Sequence, residues 1–123
     1  MTRKRCDDEV KGGKRVVESV TFVRIRKLIE DRDVLVSSHG YDELAEDGIM
    51  IKDLLSSIES AVVIEDYPDF GKGPCCLVRH RDEKGDFIHA VWGIPKGHKR
   101  PAVLITAYRP DPQKWTENYT RRV

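Results

Sequence analysis

The chain has 123 residues, of which 39% are apolar and 35% are charged, and its formal net charge is +1. This length predicts a single domain that can bury roughly two-thirds of its unfolded surface without disulfides or metals. No apolar run approaches the ~20 residues that span a bilayer, and no apolar segment follows the charged N-terminus. We therefore expect a cytoplasmic protein with no membrane contact and no signal peptide.

Charge is distributed unevenly along the chain. Residues 34–70 hold one lysine against nine acidic residues, whereas residues 71–123 hold eleven lysines and arginines against five acidic residues. A basic C-terminal half is typical of proteins that bind a polyanion. The alternative is that these charges only solvate the outer faces of helices and strands.

The three cysteines, Cys6, Cys75 and Cys76, show no disulfide framework. Their odd number, and the opposite faces that adjacent strand residues occupy, predict reduced thiols. A metal site built from Cys75, Cys76 and His80 would lack the usual Cys-x-x-Cys spacing. We predict no metal site and no cofactor.

The N-terminal part of the chain is predicted to be a charged tail followed by a helix. Residues 1–15 have no apolar period and are predicted to be disordered. An amphipathic helix is predicted from Val16 to about Asp31. Its apolar residues are Val16, Val17, Val20, Val23 and Leu28, with Phe22 and Ile25 as further candidates. Residues 34–36 then form a short strand or an extended entry to the next helix.

Two short helices follow, predicted over residues 41–47 and 52–59 from apolar residues at helical spacing. Ser37 or Ser38 could cap the first of these helices, and Gly48 ends it. The acidic residues of both helices make this the negative region of the chain.

The rest of the chain is predicted to form strands joined by short turns. These strands cover residues 61–67, 75–81, 86–94 and 101–109. Strands connected in this way form an antiparallel meander. The sequence therefore predicts an α+β domain over residues 16–116, with N-terminal helices packed on one face of a four-stranded antiparallel sheet, and a C-terminal tail over residues 117–123.

Strand alternation divides the predicted sheet into two faces. The uniformly apolar sets are expected under the helices, and they are Ile88, Ala90 and Trp92 in one strand and Val103, Ile105 and Ala107 in the next. The opposite face would then collect two cationic groups and two hydroxyls, from Arg79, His89, Thr106 and Tyr108. A slip of one residue would exchange the two faces.

These four side chains are of the types that metal-independent RNA cleavage requires. A general base removes the proton of a ribose 2′-hydroxyl, a cation stabilises the phosphate, and an acid protonates the leaving 5′-oxygen. Histidine suits either proton transfer near neutral pH, and arginine binds phosphate oxygens in pairs. A tyrosine ring can also stack on a base.

Each candidate residue also has a structural interpretation. A single strand histidine such as His89 is more often a packed residue, and His39 could be a cap or a core residue. Thr106 is a good strand former on any sheet. The arginines could serve only to solvate sheet edges, and Trp92 and Trp115 are expected to pack rather than to bind bases.

Several short segments, taken in order, resemble one family. They are Val36–His39, Gly48–Ile49, Val63–Pro68, Phe87–Val91 and Ile105–Pro110, followed by Trp115. This pattern resembles the domain of unknown function 4258 family, which is associated with the RelE-like, barnase-related ribonuclease toxins of toxin–antitoxin systems. The resemblance implies a small α+β fold with a central antiparallel sheet, metal-independent RNA cleavage and a neutralising antitoxin.

By position, the resemblance assigns the family's histidines to His39 and His89, and the Thr-x-Tyr of its last strand to Thr106 and Tyr108. The helix after His39 departs from the family pattern. Its residues 41–47 are acidic, whereas the family usually has more basic residues there.

Our first hypothesis is a metal-independent endoribonuclease toxin. Its predicted catalytic residues are His39, His89, Arg79, Thr106 and Tyr108. Its predicted RNA-binding residues are Arg81, Arg109, Lys96, Lys99 and Arg100. The predicted partners are RNA, free or on the ribosome, and a cognate antitoxin protein. Two alternatives on the same fold stay open: a non-catalytic protein-interaction module, favoured by the acidic helical region, and an RNA-binding module that does not cleave.

Overall fold

A computed structural model of the protein describes residues 19–123. The helices are α1 (Val20–Glu30), α2 (Ser38–Asp47) and α3 (Ile51–Ser56), followed by a 3₁₀ turn (Ile58–Ser60). The strands are β1 (Val34–Val36), β2 (Val62–Tyr67), β3 (Cys75–Arg81), β4 (Phe87–Gly93), β5 (Ala102–Tyr108), β6 (Trp115–Thr116) and β7 (Arg121–Arg122). The predicted disorder of residues 1–15, and the start of the predicted helix at residues 16–18, lie outside the described residues.

The main sheet has five strands in the order β1-β5-β4-β3-β2. Strands β2 to β5 are antiparallel neighbours, whereas β1 pairs with β5 in parallel and sets Val34 opposite Ala102. The prediction of a four-stranded antiparallel sheet is therefore wrong, because the sheet is mixed and has a fifth strand. A strand of three residues whose partner lies far along the chain leaves no local pattern, so its pairing could not be foreseen.

Helix α1 begins where the Oγ of Ser19 accepts a hydrogen bond from the backbone N–H of Phe22 at 3.0 Å. Phe22, Ile25 and Ile29 are its buried apolar residues, whereas Val20 and Val23 are exposed. The predicted apolar side of this helix is therefore rotated away from the observed one. Apolar residues occur on most sides of α1, so their spacing did not select a single face.

Helix α2 lies along β5 beyond the point where β1 ends. Its N-cap is Ser37, whose Oγ accepts from the N–H of Gly40 at 2.9 Å, and it ends at Gly48 in the left-handed conformation at φ 63°. A Cβ atom on Gly40 would lie 2.7 Å from the carbonyl oxygen of Leu104. Glycine therefore permits the close approach of this helix to the sheet.

The core lies between the helices and one face of the sheet. Its buried strand residues are Cys76, Val78, Ile88, Ala90, Trp92, Ala102, Leu104 and Ala107. Trp92 pairs with Leu104 whereas Val91 pairs with Thr106, so Ile105 is an extra residue in β5. This β-bulge breaks the alternation of the strand. As a result, Ile105 is exposed and Val103 is only half-buried, contrary to the prediction that both lie under the helices.

The C-terminal residues form a hairpin in place of the expected tail. Strands β6 and β7 pair Trp115 with Arg122 and Thr116 with Arg121, and we call residues 115–122 the C-terminal hairpin. Three consecutive residues of its turn have left-handed backbone angles, with φ values of 53°, 59° and 66° at Glu117, Asn118 and Tyr119. The hairpin covers part of the sheet face opposite to the helices.

Within residues 19–123, we find no helix with both the length and the apolar character needed to cross a bilayer.

Candidate functional site

Three predicted site residues occupy one row across the sheet. Arg79 in β3 lies directly opposite His89 in β4, which in turn lies opposite Tyr108 in β5. Thr106 lies on the same face, next to this row and opposite Val91. The predicted grouping of these side chains on one sheet face is confirmed, while their catalytic roles stay a prediction.

His89 is fully buried beneath the C-terminal hairpin. Its Nε2–H donates to the carbonyl oxygen of Tyr119 at 2.7 Å, and its Nδ1 accepts from the hydroxyl of Tyr108 at 3.2 Å. The ring also meets the indole of Trp115 edge-on at a centroid distance of 4.4 Å. Both ring nitrogens therefore have a hydrogen-bond partner, and these partners place the ring proton on Nε2.

Burial is the main cause of the titration behaviour of this row. It lowers the pKa of His89 to about 4, an effect that the Tyr119 carbonyl opposes and that Arg79 and Arg122 reinforce. Burial also raises the pKa of Tyr108. At neutral pH, His89 is therefore a neutral imidazole that can accept a proton, and Tyr108 retains its hydroxyl proton.

Arg79 is half-buried, and its guanidinium lies 4.4 Å from the centre of the Phe87 ring. One of its nitrogens, Nη1, donates to the carbonyl oxygen of Asn118 at 2.8 Å. Its Nε is buried and has no hydrogen-bond partner among residues 19–123. Buried N–H groups without a partner are rare, so this donor marks a position where an acceptor could bind.

A carboxylate lies beside this row. Glu65 in β2 accepts hydrogen bonds from Arg122 of the C-terminal hairpin at 2.9 and 3.2 Å and from the hydroxyl of Tyr67 at 2.5 Å. The hydrogen bond from Arg122 is the largest cause that lowers the pKa of Glu65. This ion pair connects the C-terminal hairpin to β2 of the main sheet.

We call these side chains the His89 cluster, and they are Glu65, Arg79, His89, Tyr108, Trp115, Tyr119 and Arg122. Sequence analysis missed Glu65, Tyr119 and Arg122 as members. Two of them lie in the part of the chain predicted to be a tail, and the alternation of β2 is interrupted by a register shift between Val63 and Glu65.

The structure does not bring His39 to the His89 cluster. Its side chain is 67% exposed near the start of α2, and its Nε2 lies 4.0 Å from the carboxylate of Glu43. A Cβ atom on the neighbouring Gly40 would meet the carbonyl of Leu104, four residues before Tyr108 in β5. Within residues 19–123, no hydrogen bond or ring contact joins His39 to the cluster.

The predicted RNA-binding residues divide between the two ends of the sheet. Arg81 is exposed near the cluster and lies 4.5 Å from the Phe87 ring. Arg109 is near the same end, but its Nη1 is paired with Asp82 at 2.9 Å.

The basic loop after β4 lies at the other end of the sheet. Lys96 and Lys99 are exposed there, and Arg100 is paired with Asp33. The part of β4 between His89 and Gly93 is about 13 Å long, and it separates this loop from the cluster.

His80 has a structural place in the core. Its Nε2 accepts from the indole N–H of Trp92 at 3.0 Å, so its Nδ1–H donates to the Oγ of Ser57 at 2.9 Å. Burial lowers its pKa to about 3. Because the Nδ1 proton points to the serine, His80 cannot act as a base toward that hydroxyl.

The cysteines of β3 are also packed residues. Cys75 and Cys76 are both free and buried, and burial raises the pKa of Cys76 to about 12. Among the residues that the structure describes, no group of three His, Cys, Asp or Glu side chains is placed to hold a metal ion.

Two surface cavities flank these features. One of about 400 Å³ borders the C-terminal hairpin and is lined by Gly85, Asp86, Phe87, Arg109, Pro110 and Tyr119. The other, of about 430 Å³, is an apolar groove near the far end of the sheet, and its side chains include Phe70, Lys72, Ile94, Val103 and Ile105.

Comparison with known proteins identifies the family of this chain and nothing more specific. No curated protein matches it, and no solved structure matches it. The model of the family described as "Domain of unknown function (DUF4258)" matches residues 36–109, a segment that begins at the last residue of β1 and contains β2 to β5 with the row formed by Arg79, His89 and Tyr108. Since this match covers more than half of the chain, the protein belongs to the DUF4258 family.

Proposed function

We propose that this protein is a metal-independent endoribonuclease whose phosphodiester site is the His89 cluster. The observation that supports this best is the single row formed by Arg79, His89 and Tyr108 on adjacent strands. The row supplies a cation, a neutral imidazole and a protonated hydroxyl within reach of one another. Such groups are required when a ribose hydroxyl attacks its own phosphate.

Each group has a distinct task in the proposed reaction. The Nδ1 of His89 accepts the 2′-hydroxyl proton while the 2′-oxygen bonds to phosphorus. Arg79 stabilises the charge on the phosphate oxygens. The bond from phosphorus to the 5′-oxygen breaks, and that oxygen takes the hydroxyl proton of Tyr108. The imidazolium then returns its proton to the Tyr108 oxygen along their 3.2 Å hydrogen bond, so both residues recover their starting states.

The sequence resemblance to the domain of unknown function 4258 family, which is associated with RelE-like, barnase-related ribonuclease toxins, supports the same function. In this proposal the protein acts in the cytoplasm on RNA, free or on the ribosome, and an antitoxin neutralises it. Arg81 is exposed beside the cluster and can contact a neighbouring phosphate. His39 has no required task in this mechanism, because no contact in residues 19–123 joins it to the row.

Tyr108→Phe tests the proposal, because this change removes the hydroxyl and keeps the ring against His89. We expect RNA cleavage in the presence of EDTA to fall by at least about 100-fold at a temperature where the variant is still folded. The buried Nδ1 of His89 also loses its donor, so the free energy of unfolding should fall by about 1 to 3 kcal/mol. Tyr41→Phe, which removes an exposed hydroxyl on α2, is the matched control and should cleave at the wild-type rate. Equal cleavage by wild type, Tyr108→Phe and Arg79→Gln would refute the assignment.

The apolar groove supports a second candidate function, a protein-interaction module. Phe70 is 54% exposed there, and Ile105 is also exposed. Lys72 lines the groove, and its backbone carbonyl accepts a hydrogen bond from the backbone N–H of Lys96. The side chains of both lysines are exposed. An acidic segment with an apolar anchor is the partner that this combination fits.

The groove can be tested separately from the His89 cluster. An acidic peptide with a central aromatic residue should bind the wild type in a salt-dependent manner and bind Ile105→Ser at least about tenfold more weakly. Val62→Ser, which changes an exposed residue of β2, provides the control. Equal binding to all three proteins, or none, would reject the groove as a docking site.

A further inference from the structure

We propose that the C-terminal hairpin masks a phosphate-binding site, because two of its backbone carbonyls occupy the N–H donors that would hold phosphate oxygens. This inference rests on the proposed function and adds the regulation of the same site. The ligand is a phosphodiester, and the carbonyls of the hairpin compete with it for the same two N–H donors.

The two masked donors come from adjacent strands. The Nη1 of Arg79 binds the carbonyl oxygen of Asn118 at 2.8 Å, and the Nε2–H of His89 binds the carbonyl oxygen of Tyr119 at 2.7 Å. These carbonyls belong to consecutive residues, so they present two acceptor oxygens to the two donors. The two non-bridging oxygens of the phosphodiester next to the scissile one offer the same pair of acceptors with a negative charge, which strengthens both hydrogen bonds.

The turn that supplies these carbonyls has an unfavourable backbone. Glu117, Asn118 and Tyr119 all have φ between 53° and 66°, a region that residues with a Cβ atom rarely adopt. Asparagine tolerates this conformation best of the three, and a run of such residues is unusual. Strain of this kind persists only where other contacts hold it, and it is concentrated at switch regions and ligand sites.

The hairpin is held closed by contacts on its own face of the sheet, which include the packing of Tyr119 on Phe87. Strands β6 and β7 pair through two residue pairs. The hairpin also contacts the main sheet through the ion pair of Arg122 with Glu65 and the packing of Trp115 on His89. None of its residues belongs to the main apolar core cluster between the helices and the sheet. The hairpin can therefore lift while that core stays packed.

The neighbouring cavity provides a route for the ligand. It lies between Phe87, Arg109 and Tyr119, beside the turn of the hairpin. A polyanion that enters there meets Arg81, whose guanidinium lies over the same Phe87 ring. From that position, moving Tyr119 aside uncovers the Nε2 of His89.

Two variants should shift the closed state in opposite directions. Arg122→Gln removes the ion pair with Glu65. Glu117→Gly relieves one left-handed position of the turn, and the ion pair with Arg121 that it also removes is exposed and contributes little. We expect the dissociation constant of inorganic phosphate and of a ribodinucleoside monophosphate to fall about two- to fivefold in Arg122→Gln. We expect it to rise by a similar factor in Glu117→Gly. Both constants can be measured by NMR titration of the full-length protein.

Arg121→Gln is the matched control. It removes the same charge one residue earlier, but Arg121 pairs with Glu117 inside the hairpin at 3.5 Å, and within the described part of the chain no ion pair joins it to the main sheet. Simple loss of positive charge would weaken phosphate binding in both arginine variants. Tighter binding in Arg122→Gln alone, with weaker binding in Glu117→Gly, therefore supports masking.

The remaining outcomes separate the masked site from the ribonuclease. If phosphate binding shifts as expected but Arg122→Gln cleaves no RNA, the masked site stands and the proposed function fails. If neither variant changes phosphate affinity, or if no variant binds phosphate, masking is refuted. RNA cleavage by the wild type in that case would leave the ribonuclease proposal intact.

Discussion

The imidazole of His89 stands edge-on to the indole of Trp115, with ring centroids 4.4 Å apart and an angle of 89° between the planes. Trp115 belongs to the C-terminal hairpin, so this contact joins the last strands of the chain to the middle of the main sheet. It is part of the burial that lowers the pKa of His89 to about 4.

Removing the indole should expose this histidine. Trp115→Ala is expected to cost about 3 kcal/mol in unfolding free energy and to raise the pKa of His89 from about 4 toward its ordinary value of about 6.5. NMR titration of the imidazole signals measures the shift, and Trp115→Phe should largely preserve the low pKa. A histidine that still titrates near 4 in Trp115→Ala would show that the hairpin is not what buries it.

Stability should fall as the pH is lowered from 6.5 to about 4.5. His80 and His89 have folded pKa values of about 3 and about 4, below the ordinary value, so the unfolded chain binds protons first. Each neutral imidazole then contributes a slope approaching about 1.4 kcal/mol per pH unit, with the stability fully present above pH 6.5. Urea unfolding at several pH values measures this slope.

A single substitution separates the two contributions to that slope. His89→Gln should remove about half of the slope, and the half that remains is that of His80. A pH-independent free energy of unfolding between pH 6.5 and 4.5 would contradict the buried neutral state of both rings.

Gly40→Ala should destabilise the protein even though alanine is the better helix former. The added Cβ would lie 2.7 Å from the carbonyl oxygen of Leu104, and overpacking of this kind costs about 1 to 3 kcal/mol. Helix propensity alone would instead stabilise the variant by up to about 1 kcal/mol. Gly71→Ala, where a Cβ would contact nothing within 4 Å, is the control for thermal melting. A higher melting temperature in Gly40→Ala would show that α2 does not pack this closely on β5.

The hydrogen bond between Trp92 and His80 should be visible as coupling in a double-mutant cycle. Trp92→Phe leaves the Nε2 of His80 buried without its donor, at a cost of about 2 to 3 kcal/mol together with the lost volume. Combined with His80→Phe, the total cost in urea unfolding should be smaller than the sum of the two single changes. Strict additivity would mean that the two side chains do not depend on each other.

Local patterns predicted the central strands well. The bounds of β3 match the prediction, and Ile88, Ala90 and Trp92 lie under the helices as expected. The row of Arg79, His89 and Tyr108 could therefore be foreseen, because short turns fix which antiparallel strands are neighbours. Residue type likewise predicted the end of α2 at Gly48 and limited its cap to Ser37 or Ser38, of which the structure shows Ser37.

Long-range pairing and backbone irregularities could not be foreseen. The parallel partner of β1 lies far along the chain, and the bulge at Ile105 changes the faces of β5 without any glycine or proline to mark it. The C-terminal hairpin depends on tertiary contacts such as Arg122 with Glu65, so its short strands carry little signal of their own. For this reason, the burial of His89 emerged only from the structure.

Cleavage of a short RNA in EDTA, compared with the same oligonucleotide made entirely of 2′-deoxynucleotides, tests the central claim most directly. The mechanism at His89 and Tyr108 predicts that wild type and Arg122→Gln cut the RNA, leave a 2′,3′-cyclic phosphate and do not cut the deoxy form. Cleavage of both oligonucleotides, or of neither by either protein, would contradict a site that works through the ribose hydroxyl.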